Sequence, residues 1–362
     1  MLKRNTTRPV CAFRRSSTVV CALLALALLS LPATAQRVNV MNLTSDISSA
    51  AAHQDANLVN PWGLSISPTG PWWVSDNGTG LSTLYDGNGV TQSLVVTIPT
   101  GSGSGTGTPS GTVYNPTTDF KIHGQTTPFL FCTEDGTISG WYVGTTAFIA
   151  VNNFNTGAVY KGMALASAGG ANYIYLANFH AGTVEVYDKN YAAHSFGSNA
   201  FVDTSIPAGY APFNVQLIGS NQLVVTYAKQ DAAKHDDVPG AGNGYVDIYD
   251  TSGNLVVRMA HNLFLNAPWG AVVAPQSFSG FSNDLLIGQF GSGAITAYNP
   301  STGTWIGNVL NVNNLTLQID GLWALAFGNG SGGGSASTLY FSAGTFGESH
   351  GIFGSMTPHT GP

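Results

Sequence analysis

An all-β repeat architecture is what this sequence predicts, on three observations. A single pattern of apolar runs and turn residues recurs about every fifty residues; helical periodicity is nearly absent beyond the N-terminus; and one strand-like segment, residues 37 to 45, belongs to no copy of the pattern. Self-similarity at this period marks a repeat fold, and a chain of 362 residues needs either repeats or several domains to bury its apolar side chains. A small antiparallel sheet cannot cover both its faces alone. Repeated radially, such sheets pack face to face and hide their edges, which is a β-propeller.

The elements follow in order. Residues 1 to 35 carry Lys3, Arg4, Arg8, Arg14 and Arg15 ahead of an apolar run from Val19 to Leu29, and close on Ala33-Thr34-Ala35. This is the pattern of a cleaved secretory signal, and the run is too short to span a bilayer comfortably. Next comes "RVNVMNLTS", an alternating strand. The first copy reads "NPWGLSIS", "PWWVSDNGTG", "LSTLYDGNG", and the second "GTVYNP", "PFLFCTEDG", "TISGWYVG". The third is "YKGMALAS", "NYIYLANFHAG", "TVEVYDKN"; the fourth "APFNVQLIG", "QLVVTYAKQ", "GYVDIYDTSG". The fifth is "NAPWGAVVAP", "DLLIGQFGSG", "AITAYNPSTG", and the sixth "DGLWALAFG", "STLYFSAGTFG", "GIFGSM". Trp62, Thr112, Gly162, Phe213, Trp269 and Trp323 align as one repeat position.

Within each copy the runs are rich in Val, Ile, Tyr, Phe and Thr and are bounded by Gly, Asn, Pro and Asp, which is how strands and hairpin turns are written. Six copies predict six four-stranded antiparallel blades. The sixth copy ends after its third strand, so the strand at 37–45 is expected to close it. The expected organisation is a signal at 1–35, one propeller domain at 36–357 with an inserted loop at 229–244, and a flexible tail at 358–362. A Gly/Ser/Thr-rich stretch at 100–111 also lies outside the repeat. Trp72 and Trp73 are adjacent on a strand, so they must face opposite ways.

Composition excludes some functions. The first 35 residues hold five of the twelve basic residues and none of the eighteen acidic ones, so the rest of the chain is strongly acidic. Nucleic acid and anionic lipid are therefore poor partners, since both need clustered Lys and Arg. Cys132 is the sole cysteine after the leader, which leaves no internal disulfide, and its apolar flanks mark it as a buried hydrophobe. No H-E-x-x-H, G-x-S-x-G or Walker loop is present.

In a propeller, the loops joining second to third strands emerge near the axis on the same face as the loops entering the innermost strands. Those loops offer Asp76, Asn77, Glu134, Asp135, Asn178, His180, Gln289, Glu348 and His350, with Asn60, Lys161, Asn266 and Asp320 from the entry side. The insert adds Lys229, Asp231, Lys234, His235, Asp236 and Asp237, charge that no turn geometry requires. Asn77, Lys229, Asp231, His235, Asp236, Asp237 and Gln289 are the candidate ligand-binding residues. Asp76, Asn178 and Glu348 are candidate ligands for Ca²⁺, a cation that takes six to eight oxygens. His180, His235 and His350 are candidate bases. Beside this stands the turn-forming role that Asp and Asn ordinarily play in tight loops. Trp62, Trp269 and Trp323 are expected to pack between blades.

The stretches "NLVNPWGLSISPTGPWWVSDNGTGLSTLYDGNG" and "KQDAAKHDDVPGAGNGYVDIYD" resemble a family of uncharacterised exported bacterial proteins related to NHL-repeat propellers. The resemblance runs almost end to end and implies the six-bladed fold; it carries no established activity. A more distant, architectural likeness is to gluconolactonase and paraoxonase propellers, which hold a divalent cation with Glu, Asp and Asn. Two functions follow as expectations. The first is a secreted or periplasmic binding or scaffold protein, a monomer without a retained membrane anchor, that takes a glycan, polymer or protein on its loop face. The second is a divalent-metal-dependent hydrolase of a lactone or ester.

Overall fold

The computed structural model describes residues 37–278 and 280–361; the expected signal segment at 1–35 lies outside them. Six sheets form. Blade 1 comprises Pro61–Ile66, Trp72–Asp76, Leu81–Tyr85 and Val96–Thr97, and blade 2 comprises Pro109–Tyr114, Phe129–Thr133, Thr137–Trp141 and Phe148–Asn152. Blade 3 is Tyr160–Ala168, Ala171–Asn178, Thr183–Asp188 and Ala193–His194, and blade 4 is Tyr210–Ile218, Gln222–Lys229, Gly244–Asp250 and Leu255–Arg258. Blade 5 is Pro268–Val273, Leu285–Gln289, Ile295–Tyr298 and Trp305–Asn308. Blade 6 takes Leu322–Phe327, Leu339–Ala343 and Ile352–Pro358 from the end of the chain. Its fourth strand is Val38–Ser45, antiparallel to Ile352–Pro358 from Val38 opposite Pro358 to Ser45 opposite Ile352. The first strand of each blade lies beside that of the next, and blade 6 meets blade 1, so the ring is closed.

Alternation along the second strands explains how blades adhere. Successive side chains on a strand point to opposite faces, so each strand serves two neighbours. Trp72 packs with Tyr340 and Phe353 against blade 6, whereas Trp73 packs with Phe129 and Phe131 against blade 2. Likewise Leu285 and Ile287 join the blade 4 interface and Leu286 the blade 6 interface. Cys132 is fully buried between blades 2 and 3, and burial pushes its thiol up to about 12, far from a reactive thiolate.

Each innermost strand carries an irregularity near its start, between Pro61 and Leu64, Pro109 and Thr112, Tyr160 and Gly162, Pro212 and Asn214, Pro268 and Ala271, and Leu322 and Leu325. Counting from it, the residues equivalent to Trp62 are Ser110, Lys161, Phe213, Trp269 and Trp323. This corrects the alignment at Thr112 and Gly162, where matching apolar residues in sequence misses the extra residue of the bulge. The bulge also brings inner strands close together. A Cβ on Gly63 would lie 2.6 Å from the Ser110 carbonyl oxygen and 2.9 Å from the Thr112 nitrogen. Gly63→Ala is therefore expected to lower stability by about 1–3 kcal/mol, measured by denaturant unfolding.

The side chains at the bulge close the central channel. Trp62 stacks on Trp323 with ring centroids 3.7 Å apart, and Trp269 meets both edge-on at 6.2 and 5.8 Å. These tryptophans do pack between blades, but at the axis, where blades 1 and 5 meet across the channel. The tail expected to be flexible is tied down: the His359 N–H donates to the Arg37 carbonyl at 2.9 Å, and Arg37 donates to the Gly361 carbonyl at 2.7 Å. No helix among the described residues is long and apolar enough to cross a membrane.

Candidate functional site

Above the aromatic plug, polar side chains from five blades converge. Trp323 donates its indole N–H to Asn60 Oδ1 at 3.1 Å, and Asn60 donates to Asn77 at 3.4 Å and to Glu348 at 3.3 Å. Asn77 donates to Glu134 Oε2 at 2.7 Å. Glu134 pairs through its other oxygen with the Lys161 ammonium, which also reaches Asp236 at 3.1 Å. Asp236 lies 2.9 Å from His235 Nδ1. This chain of contacts spans blades 6, 1, 2, 3 and 4.

Lys161 is the centre of the arrangement. It stands at the bulge position that carries tryptophan in blades 1, 5 and 6, so its side chain is directed at the axis and is 98% buried. Its ammonium lies 5.1 Å from the Trp62 ring and 5.9 Å from the Phe179 ring, within reach of a cation–π attraction. Burial pulls the group down, but Glu134 and Asp236 outweigh it and hold Lys161 above its ordinary value. The insert supplies the other wall. It folds back as a hairpin, with Gln230 bridged to Asp237, the Asp231 N–H donating to the Asp236 carbonyl at 2.8 Å, and Val238 donating to the Lys229 carbonyl at 2.8 Å. That hairpin delivers His235, Asp236 and Asp237 to the mouth.

The result is a cavity of about 240 Å³. Glu134, Lys161, His235, Asp236, Asp237 and Glu348 form its polar wall, and Trp62, Trp323, Phe290 and Pro239 its apolar one. Phe290 stacks on Trp323 at 4.0 Å, so the aromatic side is a stack of three rings. The charges are crowded. Burial, then the Glu134 carboxylate, push Glu348 up to about 7, and burial pushes Asp237 up to about 6. The hydrogen bond to His235, then Lys161, hold Asp236 well below the usual carboxylate range, and the same hydrogen bond raises His235.

A raised carboxyl stays protonated in the folded chain while the unfolded chain has already ionised, so its linkage lowers stability as pH rises through that interval. For Glu348 the interval runs from its ordinary 4.5 to about 7. Glu348→Gln is expected to flatten the decline in stability across this range, read as the melting temperature against pH.

Other sequence candidates lie elsewhere. Asp76, Asn178 and Glu348 do not form one metal shell and share no hydrogen-bond partner among the described residues. Asp76 turns into its own blade, where Thr83 N–H donates to it at 3.0 Å. Asn178 is held by Glu185 at 2.6 Å and by the Ala181 N–H at 3.1 Å. These contacts tie both side chains to their own blades, although Asp76 Oδ1 is buried without a partner. Gln289 is buried against Thr296 and the Asn266 N–H, off the cavity wall. Asp231 caps the His235 N–H within the hairpin, Lys229 and His180 are exposed, and His350 pairs with Asp46 at 2.6 Å. Among the described residues, the group with metal-binding potential is instead Glu134, His235 and Asp236, whose donor atoms lie within 4.8 Å of one another. Glu134 and Lys161 were visible as loop residues but were not singled out; the signal was a lysine in an aromatic repeat position, legible once the bulge sets the phase.

Fold and channel together define a six-bladed β-propeller, plugged by tryptophan and open to a charged pocket at one mouth. The chain is 33% identical over 298 residues to an uncharacterized protein of Acanthamoeba polyphaga mimivirus, covering 78% of this chain and 72% of that one. A second uncharacterized protein of the same virus is 32% identical over 330 residues, covering 87% and 84%. The chain belongs to the family of these viral proteins. The relatives are viral, so the bacterial origin expected from the sequence resemblance is without support. No family model matches the chain. Among solved structures, a streptogramin B lyase superposes with a TM-score of 0.50 at 12% identity, covering 89% of this chain and 98% of that one. A Bacteroides thetaiotaomicron protein of unknown function gives 0.53 at 10%, covering 88% and 76%. At such identities the likeness is one of fold alone.

Proposed function

We propose that this protein is an exported binding propeller whose loop-face mouth holds a single sugar ring, either free or as a unit of a glycan or polymer. The observation that carries the reading is the blind cavity of about 240 Å³, polar on one wall and aromatic on the other, above a closed channel. Its size lies just below the usual range for drug-sized ligands, which suits one small ring. Carboxylates and amides accept and donate to hydroxyls, and the aromatic wall covers the apolar face of a ring. The leader-like N-terminus and the acidic surface agree with an extracellular or periplasmic setting and with a partner other than nucleic acid.

The test is a glycan array, followed by titration of tryptophan fluorescence with the monosaccharides it selects, since Trp62 and Trp323 line the pocket. Asn77→Ala and His235→Ala are expected to weaken binding at least tenfold with little change in melting temperature. Undiminished binding in both variants would place the site elsewhere. The hydrolase reading draws on Glu134, His235 and Asp236. Lys161 already neutralises two of these three groups, so Ca²⁺ added after EDTA is expected to leave the melting temperature unchanged. A stabilisation of about 2.7 kcal/mol at a hundredfold excess over the dissociation constant would favour the hydrolase instead.

A further inference from the structure

We infer that the ring held at this mouth bears a protonated amine, so that the ligand is an amino sugar rather than a neutral one. The inference rests on the reading of the mouth as a sugar pocket, and it comes from the charges that the protein leaves unmatched. Of the four carboxylates on the wall, Glu134 and Asp236 are paired with Lys161, and Asp236 also with His235. Asp237 and Glu348 have no cationic partner among the described residues. Glu348 receives only the Asn60 amide, at 3.3 Å, and Asp237 Oδ2 is buried without any hydrogen-bond partner. A partly buried carboxylate without a partner charge costs free energy that a cationic ligand can offset.

The pocket also contains its own template for the missing group. Lys161 shows how a primary ammonium is accommodated here, with two carboxylates around it and the Trp62 ring at 5.1 Å. Asp237 and Glu348 line the same cavity together with Phe290 and Trp323, a second pair of carboxyls beside aromatic rings. An organic ammonium gains from both the carboxylates and the aromatic faces. A bare divalent cation gains less, since it needs six to eight oxygens and Trp62, Trp323, Phe290 and Pro239 supply no side-chain oxygen.

The other buried polar group beside the cavity, the Trp62 indole, belongs to the plug. Trp62 lines the same cavity, is 97% buried, and its indole N–H has no partner, whereas Trp269 donates to the Lys161 carbonyl and Trp323 to Asn60. Buried indole N–H groups are ordinarily satisfied. That N–H has almost no accessible surface and stays inside the plug, so the hydroxyls of the ligand follow from the sugar reading alone. Amine and hydroxyls on one ring are the chemistry of an amino sugar.

The experiment compares ligands on the unmodified protein, so it depends on no variant folding. Glucosamine, galactosamine and chitosan oligosaccharides are titrated by calorimetry beside glucose, galactose and N-acetylglucosamine, with CaCl₂ alone as the metal probe. The expected result is at least tenfold tighter binding of the free amines than of their neutral counterparts. Asp237→Asn combined with Glu348→Gln is expected to abolish that preference, so that glucosamine and glucose bind alike. Equal affinity for glucose and glucosamine would overturn the inference and leave the sugar-pocket reading standing. Binding of no sugar, or of CaCl₂ alone, would overturn both.

Discussion

Lys161→Met is expected to destabilise the protein by about 3–5 kcal/mol, because removing one partner of a buried ion pair leaves the other charge uncompensated. Glu134, with 10% of its side chain exposed, is the group left behind. Methionine keeps the length and apolar stem of lysine, so the loss reports on charge more than on volume. The pH dependence gives the signature. Lys161 is held above its ordinary 10.5, so its stabilising contribution is intact below that value and is lost as pH rises through the folded value. Asp236 is held below its ordinary 3.8, so its contribution is intact above that value and is lost as pH falls through the folded one. The gap between wild type and variant should therefore be widest between these limits and narrow on acidification, as Asp236 takes up a proton. Adding Glu134→Gln should restore much of the loss. A variant that unfolds at the wild-type denaturant midpoint at neutral pH would remove Lys161 from the centre of the site.

Deleting residues 37–45 is expected to have a still larger effect, more than about 5 kcal/mol. The deletion strips Val38 from the blade 5/6 interface and Leu43 from the blade 6/1 interface, both nearly fully buried, and one buried leucine alone is worth about 2–5 kcal/mol. It also removes the Thr44 hydroxyl bond to the Gly89 carbonyl, 2.6 Å, and the Ser45 bond to the Gly351 carbonyl, 2.8 Å. Ile352–Pro358 becomes an open edge, which invites pairing between molecules. Size-exclusion chromatography and thermal unfolding would show association and a lowered or broadened transition. A truncated protein that stays monomeric with an unchanged melting temperature would mean that the ring does not depend on this closure.

Much of the architecture was legible from local pattern. Six copies, the closing strand and the opposed faces of Trp72 and Trp73 follow from apolar alternation and turn residues, which neighbouring positions encode. The site was legible only in part. His235, Asp236, Asp237 and Glu348 reach the pocket from the loops that topology places near the axis. Asp76 and Gln289 come from the corresponding ends of second strands, yet turn toward their own blades. Pattern could not separate the two groups, since Asp and Asn at a strand end have the same appearance whether they face a turn or a channel.

The repeat phase shows the limit most clearly. Ser110 and Lys161 do not look like tryptophan, so an apolar match slides past them by one or two residues. On a strand, a slip of one residue exchanges the two faces, and the lysine at the axis is lost from view. By itself the sequence determined the number of blades, their strand content and the means of closing the ring, because each rests on short-range alternation repeated six times. Only the tertiary structure decided which side chains meet. Asn60 and Glu348 are 288 residues apart and touch solely because the ring closes, and the inner-strand bulges, whose direction depends on packing against the neighbouring blade, aim Lys161 and the tryptophans at one point.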